Sequence, residues 1–131
     1  MESHIKSHLI SLLLILTILG SGGLQLKNSV MSWYGIGDGF HGKTTANGET
    51  YNAYRFTFAN NKLEFGTKVI FFYKDNIAIG YCNDRGGFGK YGRQFDLSYG
   101  IAKELGLVEV GVDNIFYKIL DKKEIMYYNY K

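Results

Sequence analysis

Residues 67–83 read TKVIFFYKDNIAIGYCN. Thr67 to Tyr73 is dominated by β-branched and aromatic side chains, and Ile77 to Asn83 is a second apolar run of similar length. Both are too short for helices, and β-branched and aromatic residues fit a pleated, buried surface. Asp75-Asn76 between them carries turn chemistry, which predicts a β-hairpin of two buried strands. Outward on the N-terminal side, Tyr54, Phe56 and Phe58 alternate with Arg55 and Thr57, so Tyr51 to Ala59 reads as a strand. Val30 to Tyr34 reads as another. Gly35 to Thr50 holds five glycines and reads as a long loop, and long loops in compact domains are usually functional or disordered.

On the C-terminal side, Gly86 to Gly92 has four glycines in seven residues and reads as a loop. A helix follows, opened at Asp96-Leu97-Ser98 with Asp96 or Ser98 as its cap. Leu97, Ile101, Ala102 and Leu105 share its apolar face, and Gly106 stands where a left-handed terminating residue belongs. Val108 to Val112 and Ile115 to Leu120 complete the strands. Six short strands and one helix predict an all-β fold, a small closed barrel over residues 30–120. Residues 23–29 form a short polar lead and 121–131 a basic, Tyr-rich tail.

A chain of 131 residues supports one core, not two. A single cysteine excludes an internal disulfide framework and a Cys-rich zinc module. The net charge of +3 suits an anionic polymer such as a cell wall. It falls short of the basic stripe of a nucleic-acid binder, so no nucleic-acid partner is expected. At the front, His4, Lys6 and His8 precede an apolar run from Leu9 to Leu19, then Gly20 to Gly23. That pattern reads as a secretory signal peptide over 1–22, with an uncleaved N-terminal anchor as the alternative because the exit has no A-x-A site. The run is too short to span a membrane, so export without an integral membrane domain is expected. No cysteine ends the run, so a lipoprotein is not expected. The protein would be secreted, periplasmic or wall-associated, and monomeric. Once the signal is removed, His41 is the last histidine, which leaves little for a metal site. No metal and no cofactor are expected.

Three segments stand in a telling order. Ser32-Trp33-Tyr34-Gly35 leads to Phe40-His41-Gly42-Lys43-Thr44-Thr45-Ala46-Asn47-Gly48-Glu49. Leu63-Glu64-Phe65-Gly66-Thr67 follows. Asn83-Asp84-Arg85-Gly86-Gly87-Phe88 then leads to Asp96-Leu97-Ser98. In this order and spacing the chain resembles the rare lipoprotein A family. The resemblance implies a six-stranded double-psi β-barrel and lytic transglycosylase activity on peptidoglycan. The family's acidic pair matches Glu49 and Asp84. Expansins and some cellulases share the barrel, and their aspartates match Asp84 and Asp96. The chain departs from the family at Asn60, where a histidine is usual, and at Glu64 and Gly87, where prolines are usual.

A lytic transglycosylase needs a carboxylic acid to protonate the bridging oxygen, after which the sugar's C6 hydroxyl closes a 1,6-anhydro ring. Such an acid needs a pKa raised by burial or by a neighbouring negative charge. Asp84, where an apolar strand enters a glycine loop, is the expected acid and base, with Glu49 as the second charge. Asp96 is the alternative acid, against a reading as a helix cap, which would lower its pKa. Asp84 could also pair with Arg85 or Arg93. Trp33, Tyr34 and Tyr91, with Phe40 and Phe88, offer faces for sugar stacking. His41, Asn83 and Arg85 are the expected polar substrate contacts. Cys82 reads as a buried wall residue. The rival readings are a non-catalytic, expansin-like wall-binding protein and a hydrolase. The hydrolase would need carboxyl groups roughly 6.5–9.5 Å apart.

Overall fold

The computed structural model describes residues 26–129; the expected signal peptide and the start of the polar lead lie outside these. Six strands close a barrel in the order β1-β5-β2-β4-β3-β6. They are β1 (Lys27–Tyr34), β2 (Thr57–Ala59), β3 (Lys68–Tyr73), β4 (Asn76–Asp84), β5 (Arg93–Ser98) and β6 (Val112–Ile119). The pairs β1–β5 and β2–β4 are parallel and the remaining four are antiparallel. Closure removes every free strand edge. This is the all-β, six-stranded double-psi barrel that the sequence implied.

The barrel interior is aromatic. Phe58, Phe71 and Phe95 are each fully enclosed, with ring centroids 5.4–5.5 Å apart. Tyr117 joins them 4.7 Å from Phe95. Met31, Val69, Leu97 and Ile115 complete the inward positions, one from each of four strands, as period-2 alternation requires. Cys82 lies in this core, as its apolar neighbours indicated.

Several elements differ from the sequence expectations. The predicted strand over Tyr51 to Ala59 shrinks to Thr57–Ala59. Asn52 is the reason: its side chain accepts from the Tyr54 N–H and its carbonyl from the Arg55 N–H, a local turn that competes with a ladder. The hairpin turn is Lys74-Asp75, one residue earlier than expected, because Asn76 already pairs with Tyr73. The lead's Lys27, Asn28 and Ser29 belong to β1, paired with β6. The predicted pair of segments near the C-terminus is one strand, β6, with Val108 to Val110 in a turn.

The largest correction concerns Asp96. The chain from Arg93 to Ser98 is strand β5, and helix α1 starts only at Tyr99 (Tyr99–Leu105). Phe95 and Leu97 face inward at spacing two, so Leu97 belongs to the barrel rather than to a helix face. Ser98 is the cap, its Oγ accepting from the Ile101 N–H at 3.2 Å. Asp96 is therefore free of capping duty. Gly86 to Gly92 contains a short 3-10 turn, Gly87–Tyr91, rather than open loop. The expected tail forms helix α2 (Lys122–Asn129). Asp121 and Glu124 exchange hydrogen bonds with each other's backbone N–H at its start, a capping box. Ile125 packs on an outer cluster of Ile70, Phe72, Ile77, Ile79 and Leu120.

Candidate active site

Four strands align one residue each across the barrel. Ser32 on β1 pairs with Asp96 on β5, Asp96 with Ala59 on β2, and Ala59 with Asp84 on β4. Strands lie about 4.8 Å apart, so the two aspartate Cα atoms stand about 10 Å apart with Ala59 between them. A register shift between Phe58 and Ala59 brings Asp84, not Asn83, level with Ala59. Bulges commonly re-aim a side chain in this way. The methyl group at Ala59 leaves space that a larger residue would occupy. A cleft of about 240 Å³ results, lined by Ala59, Asp84, Asp96, Tyr34, Phe40, Arg85, Phe88, Tyr91 and Arg93, with Gly86 and Gly87.

Both oxygens of Asp84 are engaged. Tyr34 donates its hydroxyl to Oδ2 at 2.9 Å. The backbone N–H groups of Ala46 and Arg85 donate to Oδ1, each at 2.9 Å. Tyr34 is itself held by stacking on Tyr51 at 4.6 Å. Burial first, then the charge of Asp84, push the Tyr34 phenol far up, so it remains a proton-bearing donor. Tyr51 donates to the Tyr34 carbonyl at 2.8 Å. That packing depends on Gly35, where a Cβ would stand 2.5 Å from the Tyr51 hydroxyl oxygen.

Asp96 stands across Ala59 from Asp84. Burial raises its pKa, because a carboxylate loses hydration there. The Ser32 hydroxyl, donating to Oδ1 at 2.9 Å, and the Arg93 charge oppose the shift. The negative charges of Asp38 and Asp84 add to it. Arg93 also donates to Ser32 Oγ at 2.8 Å, which fixes the hydroxyl against the carboxyl group.

The other expected site residues divide. Tyr34, Arg85 and Tyr91 line the cleft with the two aspartates. The Arg85 guanidinium does not pair with Asp84; it donates to the carbonyls of Asn60 and Leu63 at 2.6 and 2.8 Å and stacks 3.9 Å from the Phe65 ring. Glu49 is not in the cleft lining. It accepts from Tyr81 and from Asn47, and these hydrogen bonds hold its carboxyl below the usual range. Asn83 lies beside it, its backbone carbonyl accepting from the Asn47 N–H at 3.2 Å. Trp33 donates to the Val108 carbonyl at 3.2 Å and packs on Tyr99. His41 accepts from the Ala53 N–H at 3.2 Å and meets Tyr54 edge-on. Neither lines the cleft. Asn60 is buried in a turn, its Oδ1 accepting from the N–H groups of Lys62 and Leu63. Ser32, Ala59 and Tyr51 were missed in the sequence; a correct strand register would have revealed Ser32 and Ala59, whereas Tyr51 lies outside the strands and joins the site through its packing on Tyr34. Among the described residues no group of three or more His, Cys, Asp or Glu is arranged to hold a metal ion.

A closed barrel with two parallel strand pairs and an acid-lined cleft defines the double-psi barrel class. Residues 27–117 match the family described as lytic transglycolase, and the chain belongs to that family. It is 42% identical over 93 residues to a probable endolytic peptidoglycan transglycosylase RlpA of Synechocystis sp. The match covers 70% of this chain and 28% of that protein. It is 43% identical over 86 residues to the endolytic peptidoglycan transglycosylase RlpA of Pseudomonas aeruginosa, covering 64% of this chain and 24% of that one. The chain thus spans only about a quarter of the length of these relatives. Among solved structures, an expansin from Clavibacter michiganensis superposes with a TM-score of 0.58 at 18% identity, over 75% of this chain and 52% of that one. A variant of that expansin, in complex with cellohexaose, gives 0.59 at 16% identity, over 74% of this chain and 51% of that one.

Proposed function

We propose that this chain cleaves peptidoglycan glycan strands as a lytic transglycosylase, with Asp96 as the acid and Asp84 as its charged partner. The observation that carries the assignment is the aligned pair flanking Ala59, in which burial raises the pKa of Asp96. The sequence expectation had given the proton to Asp84 and the second charge to Glu49. In this reading Glu49, hydrogen-bonded by Asn47 and Tyr81 and held below its usual range, supports the loop from Thr44 to Thr50, whose Ala46 N–H donates to Asp84.

In the reaction, Asp96 transfers its proton to the bridging oxygen, the C1–O bond breaks, and the leaving sugar departs as an alcohol. Positive charge grows at C1 and the ring oxygen, facing the Asp84 carboxylate that Tyr34 and two backbone N–H groups hold still. The sugar's C6 oxygen then bonds to C1, and its proton returns to Asp96. Atoms balance without water, and the product is a 1,6-anhydro sugar. The names of the relatives support the substrate, and the expansin–cellohexaose complex supports a glycan on this barrel. Work on a wall polymer requires export, for which the run Leu9–Leu19 is the candidate signal.

The test is a digest of purified glycan strands read by mass spectrometry. Wild type should release products one water lighter than hydrolysis products. Asp96→Asn should release none while still binding strands, and Asp84→Asn should be slowed about 100-fold or more. Normal cleavage by Asp96→Asn would return the acid role to Asp84. Products carrying the full water would make the protein a hydrolase. Binding by wild type without any cleavage would make it an expansin-like wall binder.

A further inference from the structure

The turn that leads from β1 into the site has little of its own to hold it. Between Tyr34 and Phe40 stand three glycines, with Ile36 and Asp38 as the only side chains. Gly37 and Gly39, on either side of Asp38, have φ of 73° and 84°, a conformation that glycine enters and leaves at little steric cost. Among the described residues no backbone hydrogen bond closes residues 36–39. The hydrogen bonds that close the turn belong to the Asp38 carboxylate. Its Oδ2 accepts from the Gly35 N–H at 2.6 Å and its Oδ1 from the Phe40 N–H at 3.1 Å. One side chain thus gathers both ends of the turn. Two N–H groups on two oxygens require a carboxylate, because an amide offers one acceptor oxygen and sets its own N–H against the other donor.

The consequence is the placement of Phe40. Its ring meets Tyr34 edge-on, with centroids 5.7 Å apart and planes at 82°, and it lines the cleft with Asp84 and Asp96. Tyr34 is the phenol that donates to Asp84, so Phe40 stands one ring away from that carboxylate. It is nonetheless 48% exposed. A large apolar ring left half open beside two carboxyl groups has no role in the barrel core. It suits the C–H face of a pyranose, which packs on an aromatic ring while the sugar's polar groups point elsewhere. The charge of Asp38 reaches the site as well: after burial, it adds to the raised pKa of both Tyr51 and Asp96.

We propose that Asp38 is a positioning residue of this site: by tying the Gly35 and Phe40 N–H groups together it holds the Phe40 ring at the cleft wall, where the ring packs on a pyranose of the bound strand. The inference rests on the glycan reading above and adds a residue that acts through Phe40. A ring held in place before the sugar arrives loses less freedom on binding than one on a loose glycine turn.

Two measurements on the full chain test this. The first is nuclear Overhauser contact between the Phe40 and Tyr34 rings, which should be present in wild type and lost in Asp38→Asn. The second is a double-mutant cycle in Kd for purified glycan strands, measured in the cold before measurable digestion. Asp38→Asn and Phe40→Ala should each weaken binding about fivefold. The double variant should also be weaker by about fivefold, not by the roughly 25-fold of independent effects. Asp38 and Phe40 are both exposed, so the variants should fold. Ring contacts unchanged in Asp38→Asn, or a double variant about 25-fold weaker than wild type, would overturn the proposal. If wild type binds strands but releases no products, the cleavage reading fails, and the ring contacts and the binding cycle still decide the role of Asp38.

Discussion

Gly100 sets the geometry on which the site loop rests, and its replacement by alanine is a sharp test of the packing. A Cβ at Gly100 would stand 2.5 Å from the Tyr54 carbonyl oxygen and 2.8 Å from its carbon. Ordinary C···O contacts begin near about 3.3 Å, so the helix or the 53–56 segment must move by most of an ångström. No rotamer change can help, because the obstacle is backbone. The move also stretches the hydrogen bond from the Gly100 N–H to the Ala53 carbonyl, 2.8 Å long. Overpacking costs about 1–3 kcal/mol, and the lost hydrogen bond about 0.5–1.5 kcal/mol. Alanine's better helix propensity returns at most about 1 kcal/mol. The net is a destabilisation of about 0.5–3.5 kcal/mol. For a domain of this size, at about 4 °C per kcal/mol, that lowers Tm by roughly 2–14 °C. The assay is thermal unfolding by circular dichroism, with Gly89→Ala as control, since a Cβ there meets nothing nearer than 3.9 Å. The same segment carries the Ala53 N–H that His41 accepts, so the variant should also loosen the 35–50 loop and lower activity at temperatures where it is still folded. A Gly100→Ala protein that melts at or above wild type would refute the reasoning.

Other substitutions probe the cleft. Tyr34→Phe removes the hydroxyl that donates to Asp84 and should lower kcat about 10- to 100-fold with a small effect on KM; wild-type kcat would show that this hydrogen bond is idle. Ala59→Val adds bulk between the two aspartates and should abolish cleavage while the fold, followed by circular dichroism, survives with a loss of about 1–3 kcal/mol; retained cleavage would mean that the reacting sugar lies elsewhere. Asp96 has a folded pKa raised by burial, so its contribution to stability is complete below the unfolded value and is lost as pH rises through the folded one. Asp96→Asn should therefore gain Tm relative to wild type as pH goes from about 3 to 7, and a difference that stays flat with pH would contradict the burial argument.

The sequence alone determined the class of fold and the inventory of groups. The hairpin at 67–83, the glycine loops and the order of three short segments were enough for a six-stranded barrel, because strand periodicity and turn chemistry are local properties. They were also enough to mark Asp84 and Tyr34 as candidates, which stand where strands meet glycine-rich turns, whereas Asp96 was marked by the resemblance of the Asp96-Leu97-Ser98 segment. What the sequence could not decide is which groups share a space. Asp96-Leu97-Ser98 is locally a good helix opening, and only the closure of the barrel draws Asp96 and Leu97 into β5 and leaves the cap to Ser98. The bulge beside Ala59 that levels Asp84 with Asp96 depends on pairing between strands far apart in the chain. Burial then separates the carboxyl groups. Glu49, prominent in the sequence, is solvated and hydrogen-bonded, whereas Asp96 loses its water and gains a higher pKa. Local chemistry names the residues, but proton affinity depends on the dielectric and charge around them, which exist only once the strands have closed.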